Sequence, residues 1–166
     1  EVTVMFADFV DFTVISEKVS PELLVEEIHS CFSAFDNILQ KHKVEKIKTI
    51  GDAYLCAGGL PVTDPGHAIN VVNASIEIRN FMNERKKIKE ARNEIPFELR
   101  IGIHSGPVVA GIVGVKKYAY DIWGDTVNIA ARMEQNSEAG KINISNKTYE
   151  LVKGKFKCTY RGKIEA

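Results

Sequence analysis

Two acidic residues, Asp8 and Asp52, stand where a folded chain can bring them together. Asp8 ends an apolar run of strand length, and Asp52 follows Gly51 at the tip of a strand-turn-strand pattern over residues 44–59. Two ionised carboxylates about 4 Å apart repel each other by about 4 kcal/mol at an effective dielectric of 20, and a bridging divalent cation removes this cost. The pair therefore predicts a site for Mg²⁺ or Mn²⁺, with two ordinary turn acids as the alternative.

Two further groups of polar atoms extend this candidate site. The backbone N–H groups of residues 9–13 lead into a helix and can cradle an anion held by the metal, an arrangement typical of triphosphate binding. Asn128 and Arg132 lie four residues apart on a predicted short helix, so they share one face and can reach the same ligand. An exposed arginine without a ligand is the alternative for Arg132. The same segment carries Asp121 on a predicted strand, which favours a binding role.

The acids need a fold that holds them at one end of a sheet. The pattern predicts strands at 2–8, 97–105, 108–114, 118–123 and 141–145, helices at 20–39, 67–82, 125–134 and 146–152, the strand-turn-strand unit at 44–59, and a last strand near 156–161. The first helix is marked by Ser20-Pro21, a capping hydroxyl followed by proline at the first helical position. The charged residues 83–96 predict a solvated helix end or loop.

This order of elements predicts an α+β fold: a ferredoxin-like βαββαβ core with additional C-terminal strands and helices. In that core the first strand lies beside the central hairpin, so Asp8 and Asp52 meet at one end of the sheet. Strand 97–105 alternates apolar and polar residues, which predicts a half-buried sheet with helices on one face and the other face free.

Composition limits the class of protein. With 166 residues and 45% apolar content, residues 1–166 predict a single domain. Because 22 basic and 22 acidic residues balance, no basic field indicates a nucleic-acid partner. The three cysteines are odd in number and lie in or beside apolar runs, which favours reduced thiols in a cytoplasmic setting. The chain begins and ends within strand-like pattern, so we expect a fragment of a larger protein, with the cytosolic part of a membrane-anchored protein as one form.

Four motifs together resemble one known family, the class III nucleotidyl cyclases, which are the catalytic domains of adenylyl and guanylyl cyclases. The motifs are "FADFVDFT" from residue 6, "EKIKTIGDAYL" from residue 45, "RIGIHSGPVVAGIVG" from residue 100 and "YDIWGDTVNIAARME" from residue 120. The resemblance covers essentially the whole chain. It implies a cyclase catalytic domain whose input domains lie outside these residues.

The resemblance implies a role for each residue of the candidate site. Asp8 and Asp52 would hold two Mg²⁺ or Mn²⁺ ions, with the backbone carbonyl of Phe9 as a further ligand, while Phe9, Phe12 and Thr13 would line the triphosphate. The substrate would further meet Lys48 and Asp121 at the base, Asn128 at the ribose, Arg132 at the transition state, and Lys116 at the phosphates, with Lys117 as a weaker candidate.

The implied reaction converts ATP to 3′,5′-cyclic AMP and pyrophosphate. Lys48 only donates hydrogen bonds and an ionised Asp121 only accepts them, which matches adenine rather than guanine. Guanylyl cyclases of the family carry glutamate and cysteine at these two positions. Since the metal ligands and the base pocket come from different subunits in this family, a two-fold homodimer would hold two shared sites.

Two departures from the family pattern and three alternatives accompany this prediction. Many relatives have glycine in place of Asp11, and a lysine that relatives carry past the "RG-x-I" segment has no counterpart up to Ala166. The alternatives are a guanylyl cyclase, a non-catalytic dimerising module of the same fold, and a palm-type diguanylate cyclase, which would show a different hairpin tip. His104 suggests a catalytic base, but a histidine on a strand before a turn is more often structural.

Overall fold

The computed structural model describes residues 1–162, which form a five-stranded sheet with helices on both faces and a separate two-stranded sheet. In chain order the elements are β1 Val2–Phe9, α1 Phe12–Ser16, α2 Pro21–Lys41, β2 Val44–Ile50, β3 Ala53–Gly58, α3 His67–Ala91, β4 Leu99–Gly106, β5 Val109–Val113, β6 Ala119–Trp123, α4 Asp125–Gln135, β7 Ile142–Ile144 and α5 Asn146–Val152.

The sheet order is β2-β3-β1-β4-β7, with β1 antiparallel to both β3 and β4 and with β7 parallel to β4. Its first four strands have the ferredoxin-like order, so the predicted α+β fold is confirmed. Strands β5 and β6 pair with each other in the second sheet. This topology places the end of β1 next to the β2–β3 hairpin.

Local sequence explains where the two long helices run. Helix α2 begins after Ser20, whose hydroxyl accepts a hydrogen bond from the Leu23 N–H at 3.2 Å, as the Ser-Pro signal predicts. Helix α3 continues nine residues past Met82, through the charged stretch to Ala91. The extension is held because Arg85 donates two hydrogen bonds to the buried Glu27 of α2.

The prediction of a free second sheet face is wrong. One face of β1 packs under α2 and α3 in the main core, but the other face carries a second apolar cluster, which α4 covers through Ala130. Strand β4 is accordingly buried on both faces rather than half-buried. Gly102 permits this close packing, since a Cβ at that position would overlap the backbone of Glu134.

The predicted last strand near residues 156–161 is also wrong. Within the described residues 1–162 no strand follows Ile144, and the segment from Lys157 is irregular although its residues alternate in polarity. Alternation forms a strand only where a neighbouring strand supplies backbone partners, and none pairs with this segment. The strand-like pattern that continues over residues 163–166 lies outside the described residues.

None of the helices in the described part of the chain combines the length and the apolar content that crossing a membrane requires.

Candidate active site

The structure brings Asp8 and Asp52 together at one end of the sheet. Asp8 lies in β1 directly opposite Ala53, the first residue of β3, and Asp52 precedes Ala53 in the tight turn. Gly51 makes this two-residue turn possible because its φ of 61° is in the left-handed region. Both acids are half-buried, and the Asp52 carboxyl is close enough to Asp8 to raise its pKa. The predicted proximity of the two acids is confirmed.

Asp8 is strongly perturbed by this environment. Burial, followed by the nearby carboxyl groups of Asp52 and Glu134, raises the pKa of Asp8 from 3.8 to about 8. The Asp8 Oδ1 atom is buried and has no hydrogen-bond partner among residues 1–162. An unpaired buried carboxylate oxygen beside a second acid has the chemistry of a hard-cation ligand.

The donor set fits an open divalent site rather than a closed one. No group of three or more His, Cys, Asp or Glu side chains within residues 1–162 is arranged to hold a metal ion. Mg²⁺ is commonly held by one or two carboxylates, with water and substrate phosphates completing the shell. Asp8 and Asp52 are therefore the side chains that would hold it.

The loop after Asp8 contains Asp11, at a position where many relatives have glycine. This residue adopts φ 53° and ψ 35°, the left-handed conformation that glycine favours and that aspartate tolerates, and its side chain makes no capping hydrogen bond. Phe9 anchors the loop from beneath, with its ring 5.9 Å from that of Phe32. Phe12 is partly buried and Thr13 is exposed, so the start of α1 faces solvent.

Lys48 and Asp121 form an ion pair between β2 and β6. The Lys48 Nζ donates to Asp121 Oδ2 at 2.8 Å, and the backbone N–H of Ile122 donates to Asp121 Oδ1 at 2.8 Å. Burial opposes ionisation of Asp121, but the hydrogen bonds from Lys48 and Ile122 outweigh it and lower its pKa. Asp121 thus remains an ionised acceptor, and Lys48, 44% exposed, keeps donors free for a ligand.

The other predicted residues are exposed. Asn128 and Arg132 lie one turn apart on α4, and neither side chain makes a hydrogen bond within residues 1–162. Lys116 and its neighbour Lys117 lie in the turn that joins β5 and β6, on the solvent side. Within residues 1–162 the structure brings Asp8 together with Asp52 and Lys48 together with Asp121, and it leaves the side chains of Asn128, Arg132 and Lys116 without a partner.

His104 has a structural environment. It is buried, and its Nδ1 lies 2.7 Å from the hydroxyl of Ser145, the cap of helix α5. Burial and then the nearby Lys147 lower the pKa of His104. It belongs to the docking of α5 and is held away from the sheet end that carries Asp8.

Two residues of this region were missed by sequence reasoning. Glu134 of α4 is buried beside Asp8, and Arg100 of β4 donates to it, with Nε 2.6 Å from Oε2. A signal existed: Glu134 follows the buried Ala130 by four residues, so it lies on the apolar stripe of the helix.

Comparison with known proteins identifies the type of domain. A family model described as the adenylate and guanylate cyclase catalytic domain matches residues 1–166. The chain is 42% identical over 156 residues to a membrane guanylyl cyclase of Dictyostelium discoideum, and it covers 10% of that protein's length. It is 38% identical over 164 residues to an adenylate cyclase of Mycobacterium tuberculosis, of which it covers 36%.

A solved structure gives the same result for the fold. The adenylyl cyclase CyaB from P. aeruginosa superimposes with a TM-score of 0.93 at 32% identity, over 99% of this chain and 86% of that chain. The relatives act on different nucleobases according to their names, so the choice of base has to be argued from this chain's own residues.

Proposed function

The chain belongs to the family of adenylate and guanylate cyclase catalytic domains, and from that premise we propose that it is an adenylyl cyclase, which converts ATP to 3′,5′-cyclic AMP and pyrophosphate. The observation that carries the choice of ATP is the ion pair between Lys48 and Asp121. Adenine presents an amino donor at N6 and an acceptor at N1, whereas guanine presents an acceptor at O6 and a donor at N1.

The pair supplies one obligatory donor and one obligatory acceptor to the base. Lys48 satisfies the N1 acceptor of adenine, and the ionised Asp121 accepts from the N6 amino group. Guanine would oppose its O6 acceptor to Asp121, so that two acceptors would face each other with no proton between them. Such a mismatch costs about 1–3 kcal/mol for each unpaired group, and more where it is charged.

The remaining residues receive the roles that the family resemblance implies. Divalent cations held by Asp8 and Asp52 would lower the pKa of the attacking 3′-hydroxyl and neutralise the triphosphate. Arg132, exposed and unpaired, meets the negative charge that grows on the α-phosphate, and Asn128 on the same helix face orients the ribose. Lys116 contacts the phosphates from the β5–β6 turn.

We propose that the site is completed by a second copy of the chain. The surface of β5, β6 and their turn carries large apolar side chains that are mostly exposed, namely Val109, Ile112, Val113, Val115, Tyr118 and Trp123. Several exposed apolar side chains on one hairpin favour an interaction site there. In a head-to-tail dimer over this surface, Asp8 and Asp52 of one subunit would face Asn128 and Arg132 of its partner.

The setting of the domain is also a proposal. Because the chain spans 10% and 36% of the two relatives named above, we place it as one domain of a longer protein, with regulatory domains joined to it. Its three cysteines are unpaired in the described structure, which supports a cytoplasmic location.

The experiment is a direct comparison of ATP and GTP as substrates. Purified protein with Mn²⁺ should form cyclic AMP with a kcat/KM for ATP at least tenfold above that for GTP. Asp52→Asn is the matched inactive control, since it keeps the size of the side chain and removes its charge. A preference for GTP would make the domain a guanylyl cyclase, and no turnover of either substrate by a correctly folded dimer would make it a non-catalytic module.

A further inference from the structure

The structure shows an arginine that does not pair with the acid facing it. The register of β1 and β4 sets Arg100 directly opposite Asp8 on the same sheet face. Oppositely charged residues in this arrangement ordinarily attract each other. Here the side chain of Arg100 has Glu134 as its only ion-pair partner among residues 1–162, while Asp8 Oδ1 has no hydrogen-bond partner.

Helix α4 is attached to the sheet by several contacts besides Glu134. The helix is already held because Ala130 and Met133 are buried, because Gly102 allows close approach, and because Asn143 donates to the Met133 carbonyl at 2.9 Å. The side chain of Glu134 is only 6% exposed. Burial of an ion pair seldom stabilises a fold more than apolar residues of the same size would, so the pair calls for a reason other than stability.

We propose that Glu134 is a positioning residue of the metal half-site, which holds Arg100 away from Asp8 and so keeps Asp8 free to bind a divalent cation. This inference rests on the proposed metal role of Asp8. Without the charge of Glu134, Arg100 would turn to the carboxylate opposite it. That internal ion pair would compete with the metal for the same oxygen atoms.

The test compares Mn²⁺ binding by three variants, followed through the electron paramagnetic resonance of free Mn²⁺ in the absence of nucleotide. Glu134→Gln keeps the shape and releases Arg100, so the affinity for Mn²⁺ should fall at least tenfold, within the range seen for residues that orient metal ligands. The double variant Arg100→Gln with Glu134→Gln removes the competing cation as well, and its affinity should return to within about threefold of the wild type. Asp8→Asn should lose binding.

The Mn²⁺ affinity of the double variant distinguishes a positioning role of Glu134 from a structural one. If the pair of Arg100 and Glu134 only stabilised the fold, the second substitution would lower the affinity for Mn²⁺ further. The proposal expects the affinity to recover. Circular dichroism and urea unfolding verify each fold, and Glu134→Asp serves as a milder variant with an intermediate affinity should Glu134→Gln fold poorly. With saturating Mn²⁺ the kcat of Glu134→Gln should recover, since only metal affinity is affected.

The variants distinguish a failure of the role of Glu134 from a failure of the metal half-site. Wild-type affinity in Glu134→Gln, or a loss that the double variant does not restore, overturns the role of Glu134 and leaves the proposed function intact. Wild-type affinity in Asp8→Asn overturns the metal half-site itself.

Discussion

The buried carboxyl of Asp8 should destabilise the domain when no metal is bound, so Asp8→Asn should stabilise the fold. The folded carboxyl has a pKa of about 8, against 3.8 ordinarily, and the first cause is burial. At pH 7 folding must therefore bind a proton that the unfolded chain has released. At pH 7 the unfolded carboxyl is about three pH units above its pKa of 3.8, and each unit corresponds to about 1.4 kcal/mol, so the free energy of unfolding is lowered by about 4 kcal/mol. Partial contact of Asp8 with solvent reduces this to about 2 kcal/mol.

The sign of the pH dependence follows from the same shift. Between pH 3.8 and about 8 the folded state holds a proton on Asp8 that the unfolded state does not. The stability of the wild type therefore falls as the pH rises through this window. Asparagine does not titrate, so the advantage of the variant should be small near pH 4 and largest near pH 8.

Urea unfolding followed by circular dichroism in EDTA measures this difference at pH 4.5, 6.0 and 7.5. Asp11→Asn is the control, because it removes an exposed acid from the same loop and should leave stability unchanged. Added Mn²⁺ should stabilise the wild type and not Asp8→Asn, by about 2.7 kcal/mol at one hundred times the dissociation constant. The reasoning is refuted if Asp8→Asn is less stable than the wild type at pH 7.5 in EDTA, or if the difference is independent of pH.

Three further predictions test the shared site, the base pocket and the packing of α4. Asp52→Ala and Arg132→Ala should each be nearly inactive alone, and on mixing should recover about a quarter of wild-type turnover, because half of the randomly paired dimers hold one intact site. Lys48→Glu combined with Asp121→Cys should lower kcat/KM for ATP and raise it for GTP. Gly102→Ala should lower the urea midpoint, since overpacking of this kind costs about 1–3 kcal/mol.

Controls and contrary results can be stated for each. Subunit exchange shown by mass measurement without regained turnover would mean that Asp52 and Arg132 of one site come from the same subunit. An unchanged preference for ATP in the folded double variant would locate the purine away from Lys48. For the glycine, Gly154→Ala is the control because no atom lies within 4 Å of a Cβ there, and equal midpoints for the two alanine variants would contradict the packing argument.

The sequence was sufficient to predict most elements and the meeting of the two acids. The order of strands and helices implies the ferredoxin-like sheet, and that sheet places the end of β1 beside the hairpin turn, so Asp8 and Asp52 follow from topology alone. The family resemblance alone implied that Lys48 and Asp121 meet at the base, because the two residues lie on strands of two different sheets, and their ion pair with each other was not predicted.

The errors concern surfaces that only tertiary packing decides. The alternation of apolar and polar residues in strand 97–105 was interpreted as one solvent-exposed face. Gly102 lies on that face, but it is a site of close helix approach rather than an exposed position. Likewise, alternation over residues 156–161 gives no strand where no neighbour pairs with it. Glu134 was missed because a charged residue on a short helix is ordinarily solvated, and its burial depends on α4 lying against β4.

Under the proposed dimer, helix α4 would contribute to both half-sites of its own subunit. Its exposed face presents Asn128 and Arg132, which under the proposed dimer would contact the ribose and the α-phosphate at the partner's metal half-site, while its buried face places Glu134 beside the subunit's own Asp8. A shift of the helix therefore changes the geometry of both sites at once. In a mixed dimer, substitution of Arg132 in one subunit should damage one site, whereas displacement of α4 by Gly102→Ala in one subunit should damage two, because under the proposal the helix would carry one half-site on each face.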